Sequence, residues 1–170
     1  MPTRKQSQPR ASRPSLPPEY GLFEPTKGEG LLPWSWAADH LARSRGQWLV
    51  TIRPNRSPHL MLVWGVWMDG RFYFCTSPRS RKARNLAANS RCAVATSRTD
   101  EVVVLEGVAE PVTDARKVAR FKRAYTRHYR DDVDTSQFPV YAVLPHVVFG
   151  FISNPARWPG SATRWQFGRD

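Results

Sequence analysis

The chain has 170 residues, of which 41% are hydrophobic and 12% aromatic, and it carries a formal net charge of +12 at pH 7. This length and composition fit one domain with an ordinary hydrophobic core. No apolar run approaches the ~20 residues that span a bilayer as a helix, and the basic N-terminus lacks the apolar segment of a secretory signal, so we expect neither a membrane span nor a leader.

Residues 1–20 differ in composition from the rest of the chain, because they are rich in Pro, Ser, Arg and Gln and contain almost no apolar side chains. A segment of this kind cannot bury enough apolar surface to offset its loss of chain entropy. The sequence therefore predicts a disordered basic arm over residues 1–20, or an arm that lies on a partner, followed by a single domain over residues 21–170.

The domain begins with a predicted helix over residues 35–44, which has one apolar side and ends before Gly46. A first strand follows over residues 47–53. After a turn, residues 58–68 form a second strand that is almost wholly apolar on both faces. Such a strand is expected to be buried on both faces, in a barrel wall that also contacts another surface.

A hairpin turn and a basic loop come next. Asp69-Gly70 is a dipeptide that two-residue hairpin turns favour, because glycine tolerates positive φ, and a strand rich in Phe and Tyr runs back over residues 71–76. The loop then reads Ser77-Pro78-Arg79-Ser80-Arg81-Lys82, and Ser80 suits the N-cap of a helix over residues 83–88. A hydroxyl, free backbone N–H groups and cationic side chains at one helix start favour phosphate binding, although they also fit a solvated basic turn.

The second half of the chain contains four more predicted strands. They cover residues 91–97, 101–110, 140–144 and 147–153, and the last two flank a proline. Gly107 lies inside its strand, which indicates a bulge or bend of the kind that barrels use to turn corners.

A predicted helix over residues 113–128 separates these strands, and Thr113 can cap it. Its buried stripe consists of Val118, Phe121, Tyr125 and Tyr129. In total the pattern predicts six or seven strands in hairpin order with two or three short helices. The expected fold is mainly β (α+β), a small antiparallel barrel with peripheral helices.

Residues 60–86 resemble the hairpin and phosphate loop of the pyridoxamine 5′-phosphate oxidase-like, FMN-binding split-barrel superfamily. In that family a Tyr-Thr pair ends the strand and a Ser-Arg-Lys triplet follows, and both hold the FMN phosphate. The matching residues here are Cys75-Thr76 and Ser80-Arg81-Lys82, and Arg84-Asn85-Leu86 and Asn89-Ser90-Arg91 resemble the segments that follow. The resemblance implies a split barrel of six or seven strands that forms a homodimer with the cofactor at its interface.

The resemblance also implies a set of cofactor-binding residues. The phosphate would be held by Thr76, Ser77, Ser80, Arg81 and Lys82, and the ring would be flanked by Leu62, Val63 and Trp64. Arg164 and Trp165 would close the pocket from the tail, although they equally fit a C-terminal segment that only docks on the barrel.

Several departures from the oxidase pattern bear on the activity. Leu60 and Gly65 stand where the true oxidase has an Arg and a Lys that contact FMN, and the C-terminal Arg-rich substrate motif is absent. The resemblance therefore argues against oxidation of pyridoxamine phosphate. Because similar members of the superfamily bind the deazaflavin coenzyme F-420 at the same loop, the implied cofactor is FMN or, alternatively, F-420.

The sequence contains few residues suited to acid–base or metal chemistry. Its four histidines are scattered, and no Cys-x-x-Cys, HExxH or nucleophile-elbow pattern is present. We therefore name no metal ligand and no catalytic side chain. This shortage fits flavin chemistry, in which the ring exchanges the hydride and the protein binds and orients the reactants. The implied activity is a two-electron redox reaction on a small conjugated substrate.

Two other classes of function also fit the sequence. A non-enzymatic cofactor carrier or sensor would use the basic arm to meet an anionic partner. A nucleic-acid binder would account for the charge, but the arginines are spread along the chain without an RNP, zinc-finger or helix-turn-helix pattern, which argues against nucleic acid. The positive field suits an anionic cofactor or substrate instead. Cys75 and Cys92 lie in predicted strands, which favours buried thiols and a reducing, cytoplasmic location.

Overall fold

The structure is a computed structural model that describes residues 8–22 and 30–168. Within these residues the chain forms nine strands, four α-helices and a short 3-10 turn at Pro18–Tyr20. In chain order the elements are β1 (Arg10–Ser12), α1 (Trp34–Arg43), β2 (Gln47–Ile52), β3 (Pro58–Val63), β4 (Gly65–Met68), β5 (Arg71–Cys75), α2 (Arg81–Ala88), β6 (Arg91–Thr96), β7 (Glu101–Pro111), α3 (Ala115–Tyr129), β8 (Val140–Ile152), α4 (Trp158–Ser161) and β9 (Thr163–Gln166).

The strands form one antiparallel sheet that curls without closing. Its main path runs β1-β9-β8-β7-β6-β2-β3, and the β4–β5 hairpin joins it through pairing of β5 with β8. The 13-residue strand β8 therefore pairs with β7 along most of its length, with β5 at its start and with β9 near its end. The predicted class, a mainly β split barrel with short helices, is confirmed. None of the described helices is long and apolar enough to cross a bilayer.

The predicted strand over residues 58–68 is two strands, β3 and β4, separated at Trp64. The chain turns there because side chains satisfy the backbone of Gly65. Its N–H donates to Gln47 Oε1 (3.0 Å), and its carbonyl accepts from the Tyr129 hydroxyl (2.8 Å). A Cβ on Gly65 would lie 2.1 Å from Phe72 Cζ, so only glycine fits this corner.

Strand β3, which precedes the break at Trp64, is less buried than predicted. Burial on both faces was the prediction, but Leu60, Met61 and Leu62 of β3 are exposed, at 54%, 45% and 40% of their surface. Among the described residues, strand β3 pairs with β2 alone and forms one edge of the main sheet path. Leu60, Met61 and Leu62 are therefore exposed on this chain, whereas Val63 at the end of the strand is buried in the core.

The two turn features predicted from glycine positions are confirmed. Asp69 and Gly70 both have positive φ, +51° and +69°, and they close the β4–β5 hairpin as a type I′ turn does. Near Gly107 the pairing of β7 with β8 shifts register, so that Val147 faces Glu106 and Pro145 faces Gly107. The extra residue of this bulge lets one continuous strand, β8, contain the proline that was predicted to separate two strands.

Two hydrophobic clusters form the core. The larger joins α1 and α2 to the sheet and includes Leu41, Leu49, Phe72, Phe74, Leu86, Val94, Leu105, Val143, Val148 and Trp165. The smaller lies beneath α3 and includes Val66, Tyr73, Phe121, Tyr125, Val140 and Ala142. The predicted stripe of α3 thus packs on the sheet, with Val118 and Tyr129 only partly buried.

The cap of α3 differs from expectation. Asp114, not Thr113, caps α3, because its carboxylate accepts hydrogen bonds from the backbone N–H groups of Arg116 (2.8 Å) and Lys117 (3.2 Å).

The N-terminal segment, predicted to be disordered or to lie on a partner, contacts the sheet over its described part. Strand β1 pairs with β9, and the buried Arg13 donates to the carbonyls at 160 and 162. Residues 1–7 lie outside the described part of the chain.

Candidate functional site

The basic loop after β5 folds around the hydroxyl of Ser80. This oxygen accepts hydrogen bonds from the backbone N–H of Ala83 (3.2 Å) and from the hydroxyl of Thr76 (3.1 Å). Ser80 is therefore the N-cap of α2, as predicted. Ser77 closes the turn before it, since its carbonyl accepts from Ser80 N–H (3.0 Å) and its hydroxyl from Arg79 N–H (3.2 Å).

This arrangement leaves hydrogen-bond donors pointing out of the helix start. The first N–H groups of any helix have no partner within the helix, and Ser80 caps only that of Ala83. The N–H groups of Arg81 and Lys82 belong to the same first turn. Together with the positive end of the helix dipole, they favour an anion in front of α2.

A cavity of about 380 Å³ opens between this loop and the end of β3. Seven predicted site residues line it, namely Leu62, Val63, Trp64, Thr76, Ser77, Ser80 and Lys82. Arg81 is exposed beside them on the first turn of α2. The structure thus brings together the predicted phosphate loop and the predicted ring-flanking strand, which are more than ten residues apart in sequence.

Four further residues line the same cavity: Cys75, Tyr125, Val133 and Phe138. Cys75 precedes Thr76 in the pair that resembles the family motif, Tyr125 belongs to the predicted core stripe of α3, and Val133 and Phe138 belong to the loop after that helix. Apart from Cys75, their only sequence signal is an apolar or aromatic side chain. They reach the cavity because α3 packs on the sheet, a long-range contact that sequence patterns alone do not supply.

The two predicted tail residues lie elsewhere in the chain. Trp165 is fully buried and packs edge-on against Trp34, with ring centroids 5.6 Å apart. Arg164 lies on β9 opposite Phe149, and its guanidinium donates to the Gln166 side chain (3.0 Å). Arg164 lines a second, larger cavity of about 700 Å³, whose apolar walls include Leu16, Val104, Phe149, Phe151 and Trp158. In this single chain, neither residue closes the site at the basic loop.

The site concentrates positive charge in partly buried surroundings. Burial lowers the pKa of Lys82, which means that its ammonium lacks part of the stabilisation that water would provide. Among the described residues, no carboxylate lies within 4 Å of the side chains of Arg81 or Lys82. An anion placed at α2 would therefore meet cations that are not already neutralised by an ion pair.

The positive charges of Arg81 and Lys82 also act on His59 of β3. Its pKa is lowered first by burial and then by the positive charges of Arg53, Lys82 and Arg81. The ring lies 3.4 Å from the Thr51 hydroxyl, which accepts a hydrogen bond from the buried amide of Asn85 (3.0 Å). A chain of polar contacts therefore links β3 through β2 to α2, and it fixes the helix relative to the sheet.

Comparison with known proteins identifies the family. Residues 37–149 match the family model described as pyridoxamine 5′-phosphate oxidase. Because this match covers more than half of the chain, the chain belongs to that family. No curated protein matches the sequence significantly.

Solved structures share the fold at low sequence identity. A conserved hypothetical protein from Mycobacterium tuberculosis has a TM-score of 0.66 and 21% identity over 76% of this chain and 91% of its own. An F-420 reductase has a TM-score of 0.55 and 22% identity over 65% of this chain and 93% of its own. A heme binding protein from Mycobacterium smegmatis has a TM-score of 0.55 and 23% identity over 70% and 54% of the two chains. At these identities the likeness establishes the fold.

The electrostatic coupling in the site can be tested by replacing Lys82 with Gln. Removing this positive charge relieves the repulsion felt by a protonated imidazole, so we expect the pKa of His59 to rise towards its ordinary value. The titration is followed by NMR of the histidine ring protons. Lys117→Gln is the matched control, because Lys117 is an exposed lysine that does not contribute to the shift at His59. An unchanged titration of His59 in the Lys82 variant would show that the two groups are not coupled.

Proposed function

We propose that this protein is a flavin-dependent oxidoreductase that binds FMN by its phosphate at the start of α2. The observation that carries this proposal is the capped loop from Thr76 to Lys82, whose outward donors and un-neutralised cations face a cavity bounded by the apolar end of β3. The activity expected is a two-electron redox reaction on a small conjugated substrate. The family match supports this assignment at the level of the family.

The residues present fit a phosphate monoester in number and kind. The N–H groups of the first turn of α2 and the hydroxyl of Ser80 would donate to its oxygens, and Arg81 and Lys82 would balance its charge. The ring would lie along Leu62 to Trp64, where Phe138 and Tyr125 add aromatic surface. When bound, the flavin supplies the hydride chemistry, and the side chains of this chain bind it, orient it and exclude water.

The deazaflavin F-420 is the second candidate cofactor. It also carries a phosphate, and the loop described above recognises only that group. The structural likeness to an F-420 reductase supports this alternative. FMN and F-420 would occupy the same cleft, so the two proposals share the same binding residues.

We propose that the exposed apolar face of the sheet is a homodimer interface. One row of cross-strand neighbours runs across it through Leu62, Trp48, Ala95, Val104, Phe149 and Arg164. Trp48 and Leu62 are more than one-third exposed, as are Leu60 and Trp64 beside them. A contiguous apolar surface of this kind is typical of protein interfaces, and a second copy of this chain is the partner that we propose.

Two-fold packing of this row would complete the cofactor site. An axis through the middle of the row, between Ala95 and Val104, would place Leu62 of one copy opposite Arg164 of the other. The 700 Å³ cavity around Phe149 and Arg164 would then face the phosphate loop of the partner subunit. In this arrangement Arg164 contributes to the site from the second copy, whereas Trp165 supports β9 from within the core.

Cofactor binding is tested by titrating the purified protein with FMN, and separately with F-420, while following fluorescence. Loss of one charge-assisted hydrogen bond costs about 1.5–3 kcal/mol, so we expect Lys82→Gln to raise Kd roughly 10- to 100-fold. Lys117→Gln should bind as the unmodified protein does. The preferred cofactor is the one that binds more tightly. Equal binding by both variants, or no binding of either cofactor at tens of micromolar, would refute the site.

The dimer is tested by placing a charge in the apolar surface. Leu60→Glu would bury a carboxylate in the interface without an ion-pair partner, so we expect the protein to become monomeric in light scattering coupled to size exclusion. Tyr20→Glu is the control, because Tyr20 is also exposed but lies outside the sheet. A dimer that persists in the Leu60 variant would place the interface on another face.

A further inference from the structure

Helix α3 carries a row of arginines along its solvent side. The row consists of Arg116, Arg120, Arg123 and Arg127 of the helix and of its C-cap Arg130, and all five are exposed. The four helical arginines are spaced four, three and four residues apart, which places them within an arc of roughly 60° at 100° per residue. Arg130 follows three residues later, where its left-handed φ of +58° ends the helix. Phe121 and Tyr125, which are buried against the sheet, lie on the opposite side of the helix. We refer to these five residues as the arginine row.

Most of the charge on the arginine row is not balanced by neighbouring carboxylates. Among the described residues, only Arg120 of the five has a carboxylate within 4 Å, that of Asp69 at 2.7 Å. Asp114 is occupied as the helix cap, and Asp132, beyond the other end, lies 3.6 Å from Lys122. The row rises ~1.5 Å per residue and therefore extends for about 21 Å, with neighbouring arginines ~4.5–6 Å apart along the axis.

We propose that the arginine row binds the phosphate backbone of a nucleic acid. A guanidinium donates two parallel hydrogen bonds to a phosphate and remains charged at all physiological pH values. A straight row of such groups matches a linear polyanion, because duplex DNA presents one phosphate charge per ~1.7 Å of its axis. Contacts of this kind position a protein on a duplex without reading its sequence.

A membrane surface fits this helix less well. Helices that lie in the interface of a bilayer insert an apolar face between the lipids. The apolar face of α3 is already packed on the sheet through Phe121 and Tyr125. The solvent side offers guanidinium groups and no exposed aromatic or aliphatic anchor, so a partner that presents only phosphates is favoured.

The arginine row is separate from the proposed cofactor site. Tyr125, on the opposite side of α3, lines the cofactor cavity, and no residue of the row does. The sequence argued against nucleic acid because arginines are spread along the whole chain. The fold gathers five of them on one face, and this convergence follows from the helical register of α3.

The test measures binding of the full chain to a fluorescein-labelled 20-base-pair DNA duplex of arbitrary sequence, by anisotropy between 50 and 200 mM salt. The test variant is R116Q/R123Q/R127Q, and the control R56Q/R84Q/R157Q removes the same charge from exposed arginines away from α3. We expect the test variant to bind about tenfold or more weakly at 50 mM salt. Its slope of log K against log salt should be smaller by about 3, since each lost phosphate contact reduces the slope by ~1.

The control variant should keep most of the affinity and most of the salt slope. Circular dichroism checks that both variants are folded, which we expect because exposed Arg→Gln changes alter stability little. Equal losses in the two variants would show that net charge alone attracts DNA and would overturn the proposal. Absence of binding at 50 mM salt, or binding to anionic vesicles without binding to DNA, would overturn it as well.

Discussion

The corner at Gly65 determines how the rest of the domain is arranged. Gln47 is fully buried, and its amide accepts from Gly65 N–H while donating to the Ser44 carbonyl (2.7 Å). Tyr129 completes the corner from α3. Because an unpaired buried backbone group costs about 1–3 kcal/mol, these side chains stabilise a turn that a continuous strand would not make. One result is that β3 stays at the sheet edge with Leu60, Met61 and Leu62 exposed, while β5 pairs with β8.

The path of β5 also brings the parts of the candidate site together. Strand β5 ends beside the C-terminal end of β3, so the loop that caps α2 lies next to Leu62 and Trp64. The contact chain from His59 through Thr51 to Asn85 then holds α2 against the sheet. The helix start and the apolar strand end therefore form one cleft, in which cations and donors lie at one end and aromatic surface at the other. This polarity suits a ligand with an anionic group and a flat ring.

Local signals allowed correct predictions wherever one residue type determines the backbone. Asp69-Gly70 is set by φ, the Ser80 cap by a side-chain hydrogen bond, and the Gly107 bulge by the close approach of the Leu144 backbone; all three are confirmed. The family and its fold were also predictable, because the loop and hairpin retain their motif. Among the described residues, the strands β1 and β9 were missed because they are only three and four residues long, too short for a pattern to identify them.

The remaining differences came from long-range contacts. The break at Trp64 depends on Gln47 and Tyr129, which lie 18 and 64 residues from Gly65 in sequence. Whether Arg164 reaches the cofactor cleft depends on a second copy of the chain, and its place in the proposed site rests on the two-fold packing of the exposed row. Trp165 is a second example. From the sequence, an aromatic side chain near the C-terminus fits a pocket wall and a buried core position equally well, and only the fold shows that Trp165 is buried in the core.

The proposed function depends on the start of α2 holding the phosphate of the cofactor. This contact is tested by titrating ¹⁵N-labelled protein with FMN and recording the backbone amide shifts by NMR. We expect the largest shifts at Arg81, Lys82 and Ala83, with further shifts at Leu62 and Trp64. If these amides stay unchanged while FMN binds and shifts occur elsewhere, the phosphate is held at another place and the proposed site is wrong.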